Sequence, residues 1–389
     1  MDLCTTRSFA SCFGGGIMCM DLDRTEDRFL LVGAADTTVA LFDTHTGSEK
    51  AVSRMQPIFS LKRQSNPHAH KFMVSSVAWY PVDTGLFVSG SHDCLVKVWD
   101  TNALEVVANF QLPKKVTSVA MSHVAAAHCL VAAGCEDTAV RLCDPASGAV
   151  SHVFSGHRDP VWCVAWSASN EYEVLSGDGG GQIRAWDLRR AGCRAVLDQY
   201  TTQRPPARRD EAPPVFTSPP KKQRHGSKHR SAQALGMEPP ADAALRLKDS
   251  ALKAHSGAVT CVLPCPDGVH LLSAGTDGRM RLWDAQYRHN KLVGYEGTYN
   301  RALRARQLAV TDDSRVVFYP SGSSVNAYEV LTGHMLVSLQ GAHRESINCC
   351  AYNPGMHELY TGSNDHTVRI WSVRPDDEDD ADMEDGDGG

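Results

Sequence analysis

The chain has 389 residues, 42% of them hydrophobic and 22% charged, with a formal net charge of −6. This is the balance of a globular protein that can bury a sizeable core. Nine acids and no base lie between Asp376 and Gly389. The rest of the chain is therefore close to neutral, without the basic footprint expected of a strong nucleic-acid or membrane-surface binder. No apolar run reaches membrane-spanning length and no secretory segment opens the chain. The 13 cysteines are odd in number and scattered through expected strands (Cys143, Cys163, Cys261, Cys349), which reads as a reduced intracellular protein with thiols as small core residues. Cys261 and Cys265, or the vicinal Cys349 and Cys350, lack a second pair at zinc-site spacing, so neither a metal nor another cofactor is expected.

In chain order, Asp2–Phe9 reads as a strand, and a first strand–turn–strand unit ends at Phe42-Asp43. The second, Leu86–Asp100 (L-F-V-S-G-S-H-D-C-L-V-K-V-W-D), is the most regular. Leu95, Lys97 and Trp99 alternate with Val96 and Val98, and Asp93 stands in the turn. Further units end at Cys143-Asp144, Trp186-Asp187, Trp283-Asp284, Tyr328-Glu329 and Trp371-Ser372. The steps between these endings are 57, 44, 43, 97, 45 and 43 residues. A period of this length ending in Trp-Asp is the WD-repeat signature of a β-propeller blade.

Two steps are long. The first carries a small insertion around Met55–Lys71. The second contains Gln199–Ser250, with eight prolines in four Pro-Pro pairs, ten Lys or Arg and no alternating apolar run. Proline cannot donate to a sheet ladder, so this is expected to be a disordered insertion and not a blade. The expected fold is all-β: a seven-bladed WD-repeat propeller over residues 1–375, interrupted at 199–250 and followed by a disordered acidic tail at 376–389. Within the insertion, Lys221, Lys222 and Arg224 read as a nuclear import signal, as weak nucleic-acid contacts or as part of a solvated linker. The strand Asp2–Phe9 is expected to close the ring by adding to the last blade.

Several units share a polar set. Blade two has His70, Ser89, Asp93 and Trp99; blade five has His255, Ser273, Asp277 and Trp283; blade seven has His343, Thr361, Asp365 and Trp371. Ser, His and Asp together are the ingredients of a nucleophilic triad. Three copies argue against that reading, because an enzyme needs one nucleophile in one cleft. A hydrogen-bonded chain tying each blade together satisfies the same residues. Blade four has His157 but Gly180 where the turn aspartate is expected, which predicts a loosened turn. Blade three keeps Asp137 with Ala133 and Cys143; blade one keeps Asp36 with Phe13, Val32 and Phe42; blade six keeps only the strand alternation.

Particular phrases go beyond the general repeat. They include G-G-G-I from Gly14, V-A-W-Y-P-V-D-T-G-L-F from Val77, V-K-V-W-D-T-N-A-L from Val96, H-C-L-V-A-A-G from His128, W-D-L-R-R-A from Trp186 and G-V-H-L-L-S-A-G-T-D-G-R-M-R-L-W from Gly268. In order and spacing the chain resembles the Cockayne syndrome A family from Gly14 to Trp371, apart from the insertion. The resemblance implies a non-catalytic, nuclear substrate receptor of a cullin-4 ubiquitin ligase. It implies action in transcription-coupled nucleotide excision repair, with the ligase's damaged-DNA-binding adaptor, the Cockayne syndrome B protein and stalled RNA polymerase II as partners. Receptors of this class carry Trp-Asp-x-Arg at a blade end, which maps onto Trp186, Asp187 and Arg189; Trp371-Ser372-Val373-Arg374 is a poorer copy. An arginine fork on the rim suits an adaptor carboxylate, although an arginine after a strand is also commonly just solvated. Members of the family carry a helical segment ahead of the propeller, whereas the 13 residues ahead of Gly14 read as strand. A general WD-repeat scaffold in a chromatin or RNA assembly is the alternative expectation.

Overall fold

The computed structural model describes residues 3–4, 7–46, 54–190, 192–202, 252–302 and 304–373. Lys221, Lys222, Arg224, Arg374, the acidic tail and all but the first four residues of the expected insertion lie outside them. The described residues form seven sheets, antiparallel apart from one short parallel pair, arranged as a seven-bladed propeller. Blade two shows the plan: Val74–Trp79 innermost, then Leu86–Ser91, Leu95–Asp100 and outermost Val106–Gln111. The alternation read in Leu95–Asp100 does not separate a wet face from a dry one. Val96, Val98 and Trp99 are all buried, and Lys97 nearly so, because a blade packs between two neighbours.

What lets the blades approach is a small residue in the second strand. At Gly177 an added Cβ would stand 2.6 Å from Val259 Cγ1 on the next blade's innermost strand and 2.8 Å from Cys163 Sγ. At Gly33 it would meet Cys19 Sγ at 2.6 Å and Val74 Cγ1 at 2.8 Å. The described cysteines are free thiols, and burial pushes those of Cys135, Cys143 and Cys265 up to about 12, as expected of inert core residues.

The N-terminal segment pairs with the last blade, in two pieces. Leu3 is opposite Val373, and Ser8 is opposite Arg369. Between them Arg7 turns inward, forms a buried ion pair with Glu358 and donates to the Thr44 carbonyl at 3.2 Å. Arg54–Met55 then adds in parallel to Ser8–Phe9. The expected insertion around Met55–Lys71 needs correction. Pro57–Leu61 is the outermost strand of blade one, pairing with Val39–Asp43. The extra length is split between the connection ahead of that strand and the loop after it. Blade five has three strands, Val259–Pro264, His270–Gly275 and Met280–Asp284. Its outer position is marked by a single bridge, Trp283 to Asn290, and by Lys291 N–H donating to the Leu282 carbonyl at 2.8 Å.

This topology sorts the loops. Turns between second and third strands, and loops leading to the next blade, lie on one face, here called upper. The other connections lie on the lower face. Gln199 N–H donates to the Lys253 carbonyl at 2.9 Å, so the two ends of the long insertion meet on the upper face. Arg189, after a third strand, is on the lower face.

Candidate functional site

The polar sets come together as four-membered chains. In blade two His70 Nδ1 is 2.9 Å from Asp93 Oδ2, His70 Nε2 is 2.7 Å from Ser89 Oγ, and Trp99 Nε1–H donates to the same hydroxyl at 2.7 Å. Blade five repeats this at 3.0, 2.7 and 2.9 Å, and blade seven, with Thr361, at 3.0, 2.8 and 3.0 Å. The indole can only donate, so the hydroxyl oxygen accepts from it and turns its own proton to Nε2. Nε2 is then bare, and Nδ1–H donates to the carboxylate. A catalytic triad has the same proton order. Here the hydroxyl is already an acceptor for tryptophan, and Ser89, Ser273 and Thr361 are 0–1% exposed, so no substrate reaches them.

Blade four corrects the sequence reading. Its turn is not loosened by Gly180, because Asp178, two residues earlier, takes the aspartate's place. His157 Nδ1 lies 2.8 Å from Asp178 Oδ2, His157 Nε2 lies 2.6 Å from Ser176 Oγ, and Trp186 Nε1–H donates to Ser176 at 2.7 Å. Asp178 Oδ1 also accepts from the N–H groups of Gly180 and Gln182, at 3.0 and 2.8 Å. The signal was present in S-G-D-G-G-G-Q. It was missed because the hydroxyl-to-aspartate spacing is two instead of four, a change that the glycine run accommodates, with Gly181 at φ +91°.

The remaining blades replace the polar chain. In blade one Phe13, Val32 and Phe42 are all buried, and the rings of Phe13 and Phe42 lie 6.2 Å apart. Asp36 keeps its turn role, accepting from Gly14 N–H at 2.6 Å. In blade three Asp137 pairs with Arg141 at 2.7 Å while Ala133 and Cys143 fill the core. In blade six the Tyr328 hydroxyl donates to the Glu296 carbonyl at 2.7 Å. Replacing a whole polar set by apolar side chains costs little, whereas removing one member leaves buried partners stranded.

Electrostatics follow burial. Desolvation lowers the pKa of His70, His157, His255 and His343 and keeps them neutral. Burial acts in the opposite direction on Asp93, but the hydrogen bond from His70 and those from two backbone N–H groups more than offset it, bringing Asp93 down to about 2.

Trp186, Asp187 and Arg189 are brought to one corner. Trp186 is anchored by Ser176. Asp187 is buried and grips Arg189 through both oxygens, Oδ1 to Nε and Oδ2 to Nη2, each at 3.0 Å. The Arg189 guanidinium carbon lies 4.6 Å from the centre of the Tyr172 ring. Its side chain is 57% exposed. One edge of the guanidinium is thus committed inward, and the fork is a rigid projection rather than a free one. Among the described residues no cluster of three or more His, Cys, Asp or Glu is placed to hold a metal, and no helix is long and apolar enough to cross a membrane.

Seven blades, four of them tied by this repeated chain, define a WD-repeat β-propeller. The family model for the WD domain, G-beta repeat, matches residues 59–100, 148–187, 248–284 and 331–372, which are the four blades carrying the complete polar chain. The chain belongs to the family of WD-repeat proteins that includes the WD repeat-containing protein ATCSA-1 of Arabidopsis thaliana. It is 40% identical to that protein over 400 aligned residues, covering 96% of this chain and 88% of the relative. It is also similar to Radiation-sensitive protein 28 of Saccharomyces cerevisiae, 32% identical over 31% of this chain and 25% of that protein. A third relative is the Denticleless protein homolog of Danio rerio, 27% identical over 63% of this chain and 36% of that protein.

Proposed function

We propose that this chain is a Cockayne syndrome A protein: a nuclear, non-catalytic substrate receptor of a cullin-4 ubiquitin ligase in transcription-coupled nucleotide excision repair. Its near full-length similarity to ATCSA-1 supports the family part of this reading, and the name of the yeast relative, Radiation-sensitive protein 28, fits a role in the response to DNA damage. The observation that carries the docking step is the Arg189 corner. The buried carboxylate of Asp187 and the ring of Tyr172 hold a half-exposed guanidinium in one orientation before any partner arrives. Preorganisation of this kind lowers the entropy lost on binding, and a central arginine is a frequent interface anchor. In this reading the lower face meets the damaged-DNA-binding adaptor. The rest of the ring holds the repair substrate, with the Cockayne syndrome B protein and RNA polymerase II as companions. Ubiquitin transfer is accelerated by effective concentration and not by chemistry in the propeller.

The test is co-purification of the full chain from cells. Arg189→Glu is expected to lose the adaptor and cullin-4 while keeping wild-type circular dichroism. Undiminished recovery of both would reject Arg189 as the anchor. Stable partners lacking any cullin would favour a general scaffold instead.

A further inference from the structure

The near-neutral charge of the body conceals a segregation. On the lower face and its rim, Arg28, Arg189, Arg194 and Arg288 each close on a carboxylate, Asp43, Asp187 and, for the last two, Glu173, while Arg24 and Arg190 there are exposed without an ion pair among the described residues. On the upper face Lys71, Arg158, Arg279, Arg301, Arg304 and Arg344 are all exposed, and among the described residues none of them forms an ion pair. Glu136 there is already taken by Lys115 at 3.3 Å. The other exposed upper-face acids, Asp159, Glu296 and Glu345, are fewer than these cations.

Aromatic rings stand among the cations. Phe72 is 62% exposed and Tyr299 is 51% exposed, unlike the buried aromatics of the blades. Thr298 Oγ1–H donates to the Gly278 carbonyl at 2.6 Å, which holds the Tyr299 segment against an upper-face turn. Arg301 lies 5.5 Å from the centre of the Tyr299 ring. Arg304 reaches over the mouth of the central channel, its Nη1 3.1 Å from Met73 Sδ and 3.9 Å from Met18 Sδ. Arg304 therefore bridges the mouth, from Met73, the chain neighbour of Phe72 at the start of blade two, to the segment between blades five and six that carries Tyr299 and Arg301.

We propose that this group of residues binds single-stranded nucleic acid, with Phe72 and Tyr299 as stacking platforms and Arg301 and Arg304 as phosphate contacts. Open rings beside cations without an ion pair are an arrangement that accepts bases of any sequence. A peptide ligand would call for sockets around its side chains, and these rings are exposed on a rim. The docking proposed for Arg189 uses the opposite face, so the two activities are separable.

The experiment is fluorescence anisotropy of the full chain with a labelled oligonucleotide of about 12 nucleotides, poly-dT or poly-U, over a salt series. Binding is expected at low salt. Phe72→Ala or Tyr299→Ala weakens it by about tenfold. Arg304→Ala lowers the slope of log K against log salt by about 0.7. A chain with residues 203–250 replaced by a short Gly-Ser linker keeps its affinity, because the basic insertion is not the site. The proposal is overturned by absence of binding at low salt, by ring variants that bind like the wild type, or by loss of binding with the insertion. Tighter binding of a glutamate-rich peptide than of the oligonucleotide overturns it too, since that would make the face a receptor for acidic protein.

Discussion

A single hydroxyl decides how much of a blade survives mutation. Ser176 Oγ serves Trp186 and His157 at once, and all three are buried. Ser176→Ala strands an indole N–H and a ring nitrogen where water does not reach. It is expected to cost about 2–6 kcal/mol, at about 1–3 for each buried group left unsatisfied, read as a fall in the urea midpoint with an unchanged m-value. A cost below about 0.5 kcal/mol would show that water replaces the hydroxyl and that the chain is not tightly closed. Blade one shows the other solution: Phe13, Val32 and Phe42 fill the corresponding places, so nothing polar remains to be stranded. The same reasoning explains why a Ser-His-Asp set can recur in this molecule without a nucleophile. The geometry of proton transfer is present, but the oxygen is occupied and enclosed.

Ring closure is the event that turns separate blades into one body, and it rests on a short element. Leu3–Cys4 and Ser8–Phe9 contribute few ladder bonds, so side chains carry much of the attachment. Arg7 and Glu358 form a buried pair, and Glu358 also accepts from the Tyr360 hydroxyl at 3.0 Å. Burial raises the pKa of Glu358, and the Arg7 charge works against that rise. Arg7→Ala leaves the carboxyl buried without its cation, a loss of about 3–5 kcal/mol. Amides of Val368–Val373 are expected to lose protection against hydrogen exchange before those of blades two to four. Uniform loss of protection around the ring would place the weak point elsewhere. Pairing of the N-terminal segment with the last blade was legible from the need to leave no free edge. Its interruption at Arg7 was not, because the partner Glu358 lies 351 residues away.

Across the whole molecule the four polar chains make stability depend on pH in one direction. Each histidine has a folded pKa below its ordinary value, so the unfolded chain binds the extra proton first. The stabilisation is present above about pH 6.5 and declines as pH falls below it, by about 1.4 kcal/mol per pH unit for each histidine that stays neutral in the fold. The depressed carboxylates act in the same sense at lower pH. Asp93, down at about 2, contributes above the ordinary carboxylate range and loses its contribution as pH falls toward 2. The melting temperature is thus expected to fall between pH 7 and pH 5. The blade-four variant His157→Phe with Ser176→Val and Trp186→Phe, which copies the apolar solution of blade one, is expected to flatten that dependence by one histidine's share, since burial also holds down His92 and His123 outside the chains. A melting temperature constant over this range would contradict the neutral, buried state of the histidines.

Period, alternation and the Trp-Asp endings were enough to count seven blades, because stacking modules recur at a spacing that a linear chain displays openly. The polar sets of blades two, five and seven were visible for the same reason. Other features depended on contacts between parts distant in the chain. Asp178 became a turn aspartate only when Gly179–Gly181 bent around it, and Arg189 became a fixed projection only when Asp187 and Tyr172 closed on it. The two faces differ in charge because loops far apart in sequence gather at the same end of every blade. Local pattern records what each strand buries, whereas pairing, closure and charge segregation are decided by which strands and loops become neighbours in space.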